Sequence, residues 1–267
     1  MSVSPDATIH PAAVVDPGAI IGPGCTIGPF CHIGPAVRLG TDVTLASHVV
    51  IAGDTELGTG CEVHSFAVLG GAPQDLKYKG EVSCLRIGAR NRIREHVTMN
   101  TGTAAGGGVT RIGNDGLFMA GCHVAHDAQV GNRVVVVNNA AIGGHCLIGD
   151  DAVLGGLCGI HQRVRVGQGA IVGALTMVAK DVIPHGLVQG PRGRLDGLNL
   201  VGLRRRGVAR DEIAALSAAF QLLAQGDGTF QDRARRAGAE LDSDLVRQII
   251  DFVTTGSDRS YHTPGQG

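Results

Sequence analysis

A six-residue repeat of apolar residues constrains this 267-residue chain more than any other feature of its sequence. The repeat residues are Ile9, Val15, Ile21, Ile27, Ile33, Leu39, Leu45, Ile51, Leu57, Val63, Leu69, Ile87, Ile93, Met99, Ile112, Phe118, Val124, Val130, Val136, Ile142, Ile148, Leu154, Ile160, Val166, Val172 and Val178. Six residues fit a short strand and a tight turn, with one side chain pointing inwards. The repeat predicts a parallel β-helix with three units per coil and almost nine coils, on the order of 40 Å long.

The composition agrees with a narrow core. Glycine is abundant at 42 residues, whereas tryptophan is absent and phenylalanine occurs only 6 times, so small branched side chains must fill the interior. Most cysteines stand four residues after a repeat residue, in a position they share with alanines, so we interpret them as packing residues. These cysteines are Cys25, Cys31, Cys61, Cys122, Cys146 and Cys158.

Charge and hydropathy exclude several classes of protein. The formal net charge is −1, which argues against a general nucleic-acid or membrane-surface binder. The N-terminus does not have the pattern of a secretory signal, and no apolar run is long enough to span a membrane. We therefore expect a cytoplasmic protein with free thiols and no stable membrane insertion.

Two segments interrupt the repeat, and a third region follows it. Residues 71–84 and 101–110 lack apolar residues at the expected steps, so we expect them to project as loops. The repeat ends near Pro184, after which residues 211–225 and 243–253 show helical apolar spacing. The predicted domains are a β-helix over residues 1–190 and a small α-helical domain over residues 191–267.

Histidines cluster in the later repeats. The sequence MAGCHVAHDAQVGN (119–132) contains His123, His126 and Asp127. His145 and His161 follow His126 at intervals close to one coil, which predicts a column along one edge. A single histidine is usually a solvated turn residue, but a column beside an aspartate indicates a site. Zinc ligation is an alternative, because His-x-x-His with further histidines is a common zinc pattern.

The ordered motifs GGAPQDLKYKGE (70–81), RNRIREHVTMNTGT (90–103), CHVAHD (122–127), VGNR (130–133), HQ (161–162) and GLRRRG (202–207) resemble the UDP-N-acetylglucosamine O-acyltransferase family. The resemblance covers nearly the whole chain and is weakest over the last sixty residues or so. It implies a left-handed β-helix and a homotrimer with sites between subunits. Rival interpretations are a zinc-dependent hexapeptide enzyme of the carbonic anhydrase type and a non-catalytic β-helical scaffold.

The resemblance implies a reaction without cofactor, metal or covalent nucleophile. A 3-hydroxyacyl chain would move from acyl carrier protein to the 3-hydroxyl of UDP-N-acetylglucosamine, the first step of lipid A biosynthesis. His126 would be the general base, since histidine titrates near neutrality, and Asp127 would orient it. That pairing requires a turn, because adjacent strand residues point to opposite faces. The Gly144 N–H would stabilise the oxyanion.

The family's substrate contacts fall on further residues of this chain. They are Gln74, Asp75, Lys77, His123, His145, His161, Gln162, Asn199 and Arg205. Ala174 falls on the position that measures acyl length, which predicts a fairly long 3-hydroxyacyl donor. The triple arginine at 204–206 is either a carrier-protein contact or a solvated patch. NTGT (100–103) and Val201 depart from the usual family residues, so a 3-amino sugar nucleotide remains an alternative acceptor.

Overall fold

The structure is a computed structural model that describes residues 2–264. Three sheets, here called faces A, B and C, form the sides of a triangular prism. Face A contains Ser2–Val3, Ile20–Ile21, Arg38–Leu39, Asp54–Leu57, Cys84–Ile87, Val109–Ile112, Gln129–Val130, Leu147–Ile148 and Arg165–Val166. Face B contains Thr8–Ile9, Thr26–Ile27, Thr44–Leu45, Glu62–Val63, Arg92–Ile93, Leu117–Phe118, Val135–Val136, Val153–Leu154, Ile171–Val172, Gly186–Gln189 and Arg194–Leu198. Face C contains Val14–Val15, His32–Ile33, Val50–Ile51, Val68–Gly71, Thr98–Asn100, His123–Val124, Ala141–Ile142, Gly159–Ile160 and Met177–Val178.

Successive strands along the chain belong to successive faces, so each coil passes once through A, B and C. Ile20 pairs in parallel with Arg38 on the next coil, eighteen residues later. Within residues 2–264, faces A and C each contain nine strands. The chain folds as a left-handed parallel β-helix, which confirms the coils expected from the repeat and the handedness implied by the resemblance.

The repeat positions form the core because side chains alternate between the two sides of a strand. In the strand Thr26–Ile27, for example, the threonine is exposed and the isoleucine is buried. The cysteines also lie inside the prism, and burial raises the pKa of Cys122 and of Cys146 to about 12. These thiols stay protonated and pack as small apolar groups, as predicted.

We name the three edges AB, BC and CA after the faces that their turns connect. The two inserted segments lie at the CA edge and lengthen two coils: Glu56 pairs with Arg86 and Arg86 with Arg111, thirty and twenty-five residues later. The second segment contains the 3-10 helix Ala104–Gly106. The segments contact each other, because the Ser83 hydroxyl donates to Thr101 Oγ1 at 2.9 Å.

The C-terminal region begins with an antiparallel hairpin of Gly186–Gln189 and Arg194–Leu198. Four helices follow: α1 (Leu200–Arg205), α2 (Arg210–Ala224), α3 (Phe230–Glu240) and α4 (Asp244–Thr254). Helices α2 and α4 coincide with the predicted helical segments, whereas the sequence analysis did not predict α1, α3 or the hairpin. Within residues 2–264, no helix is both long and apolar enough to cross a bilayer.

The chain then returns to the prism beside the CA edge. The Asp181 N–H donates to the carbonyl of Ser260 at 2.8 Å, and Arg165 binds the fully buried Asp181 carboxylate at 2.6 Å. The tail is thereby held against the last coils, close to the histidine column.

Candidate active site

The CA edge brings the predicted histidine column together. The His145 N–H donates to the His126 carbonyl at 3.0 Å, and the Arg163 N–H donates to the Gly144 carbonyl at 2.9 Å. The His126 and His145 rings meet edge to face with their centroids 5.0 Å apart. His161 lies on the next turn. The intervals between these histidines therefore correspond to neighbouring coils, as the sequence indicated.

His126 and Asp127 form a buried pair within one turn. Asp127 has a φ of 59°, in the left-handed region, and this turn lets the two adjacent side chains meet. His126 Nδ1 lies 2.9 Å from Asp127 Oδ2, and the side chains are only 4% and 1% exposed. Because a carboxylate only accepts hydrogen bonds, this contact places the proton of the neutral imidazole on Nδ1. The lone pair of Nε2 is then available as a base.

Thr103 fixes the other side of the Asp127 carboxylate. Its backbone N–H donates to Oδ1 at 2.8 Å and its hydroxyl donates to Oδ2 at 2.6 Å. No motif in the sequence marked Thr103 as a site residue, although residues 101–110 break the repeat. The phase break was the available signal, but it does not indicate which residue of the segment reaches the site.

A groove of about 400 Å³ opens beside His126 on face C. Its walls are Gln74, His123, Ala125, His126, Ala141, Ile142, Gly143, Gly144, Gly159, Ile160, His161, Gln162 and Met177. The first inserted segment contributes Asp75, whose Oδ2 lies 4.0 Å from His126 Nε2. Lys77 is exposed, and its backbone N–H donates to Asp75 Oδ1 at 2.9 Å. The groove thus joins the base to Gln74 and Asp75 of the projecting loop.

Gly144 lies directly against the His126 ring. A Cβ added at Gly144 would lie 2.5 Å from His126 Cε1 and 2.7 Å from Nε2, so a larger residue would displace the imidazole. Within residues 2–264, the N–H of Gly144 makes no hydrogen bond. A free backbone donor therefore stands next to the lone pair of Nε2.

Burial keeps the neighbouring histidines neutral. It lowers the pKa of His123, whose Nδ1 lies 2.7 Å from Thr98 Oγ1. It also lowers the pKa of His145, although the Asp127 carboxylate 3.7 Å away opposes that effect. At neutral pH both rings can therefore donate or accept hydrogen bonds without adding positive charge to the groove.

His161 and Gln162 lie at the exposed rim of the groove. The Arg259 guanidinium donates to His161 Nδ1 at 2.8 Å and to the Gln162 carbonyl at 2.9 Å. Because arginine only donates, His161 accepts at Nδ1 and presents Nε2–H outwards. Arg259 comes from the C-terminal tail, and no motif in the sequence pointed to it.

Three predicted site residues lie away from His126 in the single chain. Asn199 is buried at the AB edge, where Nδ2 donates to the Gly169 carbonyl at 2.9 Å and Oδ1 accepts from the Gly202 N–H at 2.9 Å. Arg205 is exposed on α1, and Ala174 is exposed on a BC turn. One chain therefore does not bring these residues to the His126 groove.

His126, Asp127 and His145 each offer one atom that could ligate a metal ion, and these atoms lie within 4.8 Å of one another. The Asp127 oxygens already accept three hydrogen bonds, two from Thr103 and one from His126. A metal ion would have to displace those donors. The geometry therefore favours a hydrogen-bonded catalytic pair over the zinc centre considered from the sequence.

The coils and this polar edge define a hexapeptide-repeat acyltransferase. A family model described as bacterial transferase hexapeptide matches residues 2–41 and 18–53, and one described as UDP-N-acetylglucosamine O-acyltransferase, domain 2, matches residues 181–261. The chain belongs to the acyl-[acyl-carrier-protein]–UDP-N-acetylglucosamine O-acyltransferase family.

Similar proteins support this assignment over most of the chain. The enzyme of that name from Paracoccus denitrificans is 61% identical over 203 residues, covering 76% of this chain and 77% of the relative. The Caulobacter vibrioides enzyme is 51% identical over 79% of this chain and 81% of its own length. The solved UDP-N-acetylglucosamine acyltransferase from Campylobacter jejuni is 37% identical with a TM-score of 0.91, covering 97% of this chain and 100% of that structure.

Proposed function

We propose that this enzyme transfers a 3-hydroxyacyl group from acyl carrier protein to the 3-hydroxyl of UDP-N-acetylglucosamine, the first step of lipid A biosynthesis. The buried His126–Asp127 pair carries the proposal, because its free Nε2 faces a groove beside an unpaired Gly144 N–H. A base next to an oxyanion donor is what acyl transfer to a hydroxyl requires. The relatives are named for the acyl carrier protein donor and the UDP-N-acetylglucosamine acceptor.

In the first step, His126 Nε2 takes the proton of the sugar hydroxyl while its oxygen attacks the thioester carbonyl carbon. The new C–O bond leaves an oxyanion, to which the Gly144 N–H donates. Collapse breaks the C–S bond, and the departing sulfur takes the proton back from Nε2. Asp127 stabilises the imidazolium between the two transfers. Protons and charge balance without a cofactor or a covalent enzyme intermediate.

Asp75 supports the assignment of the sugar site to this end of the groove. Its carboxylate lies 4.0 Å from Nε2, close enough to accept a hydrogen bond from a sugar hydroxyl placed at the base. Gln74, His123 and His145 would contact the same ligand from the surrounding walls. A sugar nucleotide with a 3-amino group is the second candidate acceptor. It is retained because Val201, which is exposed on α1, differs from the residue usual in the family at that position.

The positions of Asn199 and Arg205 support a homotrimer. Asn199 lies at the AB edge and caps α1, the helix that contains Arg205, whereas His126 lies on the CA edge of the same prism. They can act on one nucleotide only if the AB side of one copy faces the CA edge of another. A closed ring of three copies satisfies that condition for every site. Arg204 and Arg206 flank Arg205 on the surface and would attract the acidic carrier protein.

Face C offers a path for the acyl chain. His123, Ala141, Gly159 and Met177 are paired in register on four successive coils, and their side chains point outwards. Ala141 and Gly159 leave a trough between the larger side chains of His123 and Met177. Met177 closes this trough three coils from His123. Ala174 precedes Met177 on the same coil. We infer that these two residues set the preferred acyl length, and the sequence analysis had selected only Ala174.

The proposal is tested by incubating the enzyme with UDP-N-acetylglucosamine, its 3-amino analogue and a panel of 3-hydroxyacyl carrier proteins, followed by mass spectrometry. We expect an ester of the N-acetyl sugar, and an amide from the analogue would support the second acceptor. Mixing inactive His126→Ala and Asn199→Ala chains tests the shared site. Reassembled trimers should regain activity at interfaces that combine two intact halves, whereas sites within one chain would stay inactive.

A further inference from the structure

Thr103 stands at the N-cap of the 3-10 helix Ala104–Gly106, but its side chain makes no capping hydrogen bond. A threonine in this position usually accepts a bond from the following turn. Here the hydroxyl instead points to Asp127, with its oxygen 2.6 Å from Oδ2. We propose that Thr103 is a positioning residue that holds the Asp127 carboxylate for His126. The proposal rests on the proposed role of His126 as the base.

The carboxylate is fully enclosed by protein donors. The Thr103 N–H binds Oδ1, while the Thr103 hydroxyl and His126 Nδ1 share Oδ2. The Asp127 side chain is 1% exposed, so water cannot replace a lost donor without local opening. In such a site each hydrogen bond contributes more than it would at the surface.

The second inserted segment is shaped around this carboxylate. A Cβ added at Gly106 would lie 2.0 Å from Asp127 Cγ, and one added at Gly102 would lie 2.7 Å from Oδ1. Glycine at both positions lets the backbone approach closely enough for the Thr103 N–H and hydroxyl to reach. The segment that breaks the repeat therefore supplies the support of the catalytic pair.

The shared oxygen gives Thr103 an influence on the base. Its hydroxyl withdraws charge from Oδ2, the same atom that attracts the Nδ1–H of His126. Without the hydroxyl, Oδ2 would accept more strongly from the Nδ1–H of His126, so the hydrogen bond between the ring and the carboxylate would change. The ring would also lose part of its fixed orientation.

The test compares Thr103→Val with Thr103→Ser and with a matched control, Thr110→Val. Thr110 is also buried, but its hydroxyl accepts from the Asp127 backbone N–H at 2.8 Å and does not touch the carboxylate. We expect Thr103→Val to lower kcat about tenfold, the effect of losing one charge-assisted hydrogen bond, while KM changes little. Thr103→Ser keeps the hydroxyl and should restore kcat.

NMR of the His126 Nδ1–H proton provides a readout that does not depend on turnover. The chemical shift of this proton reports its hydrogen bond to Asp127 Oδ2, so it should change in Thr103→Val, or in the smaller Thr103→Ala if the valine variant does not fold, and not in Thr110→Val. An unchanged chemical shift, or an equal change in Thr110→Val, would overturn the positioning role. Failure of the wild-type enzyme to form the acylated sugar would instead overturn the proposed function and leave this measurement interpretable.

Discussion

The AB and CA edges of the prism use the same turn and carry different chemistry. Asp115 at the AB edge and Asp127 at the CA edge have φ values of 61° and 59°. Asp115 meets the Arg90 guanidinium at 2.6 and 2.8 Å in an exposed ion pair. Asp127 meets a histidine and a threonine in a site that water does not reach. Equivalent backbone positions thus hold a solvated ion pair and a buried carboxylate that is hydrogen-bonded to protein donors.

The inserted segments account for the difference. Arg90, Asp115, Arg133 and Asp151 form a ladder of alternating charge on successive AB turns, which we call the charged ladder. Arg90, Asp115 and Arg133 are exposed, so water screens both ion pairs, although the Asp151 side chain is only 16% exposed. At the CA edge, two projecting segments cover the turn and replace water by protein donors. The coil sets the backbone geometry of both turns, and the covering loops shield only the CA turn from water.

Replacing the base should have the largest effect. We expect His126→Ala to lower kcat by roughly 10²–10⁴-fold, the usual contribution of general base catalysis, with the melting temperature and oligomeric state preserved. Asp115→Ala, at the equivalent edge position without a covering loop, is the control and should keep its kcat. Near-normal turnover of His126→Ala in steady-state assays would show that the base is another residue.

Removing a side chain from the covering loop should affect substrate binding. We expect Lys77→Ala to raise KM for the sugar nucleotide about tenfold, as one charged hydrogen bond to substrate is lost. The neighbouring Lys79→Ala is the matched control and should leave KM unchanged. The melting temperature should not respond, because the loop lies outside the coils. A large loss of stability with normal kinetics would make the loop a structural brace.

Substitutions at the trough on face C should change which acyl-chain length the enzyme prefers in its donor. Ala174→Met should shift selection towards shorter 3-hydroxyacyl chains, and Met177→Ala should shift it towards longer ones. A chain one or two methylenes too long costs about 1–3 kcal/mol against a packed wall, so we expect selectivity changes of about tenfold. Competition between carrier proteins of different chain length measures this. Unchanged preference in both variants would place the length limit elsewhere.

Mild acid should disturb the CA edge before the charged ladder. Burial lowers the pKa of His123 and His145 below the value of about 6.5 that histidine has in the unfolded chain. The neutral rings therefore stabilise the fold fully above that pH, and this stabilisation is lost as pH falls below it. The Arg90 guanidinium lowers the pKa of Asp115, so that ion pair is lost only as pH falls below about 3.9. Hydrogen exchange at pH 7 and 5, corrected for intrinsic rates, should show more opening around residues 123–127 than around residues 115–117. Equal opening at residues 115–117 would show that the CA edge and the charged ladder respond to acid alike.

The smallest effect should follow from removing one ion pair of the ladder. We expect Arg90→Ala to change the melting temperature by no more than about 2 °C, because exposed pairs contribute little. Calorimetry at low and high salt measures it, and kcat should stay normal. A loss comparable to that of a core substitution would mean that the ladder holds the coils together.

The repeat was sufficient to predict the coils because burial acts on every sixth side chain in the same way. The apolar repeat residues and the cysteine positions lie inside the prism as expected. Helix α3 was missed because its buried face contains only Phe230, Ala234 and Ala237 in a segment rich in charged residues, so no run of large apolar side chains marks it. The hairpin of Gly186–Gln189 was missed because its partner strand, Arg194–Leu198, is antiparallel and lacks the six-residue spacing.

The sequence by itself determined which turns stack along one edge, because fixed spacing in a coil places His126, His145 and His161 on neighbouring levels. The tertiary structure alone decided which groups meet across those levels. Thr103 reaches Asp127 from twenty-four residues away, and Arg259 reaches His161 from ninety-eight residues away. Both contacts come from segments without a repeat, whose paths depend on packing against the finished prism. Periodicity records the distance between coils, but it contains no information about where an irregular segment turns back.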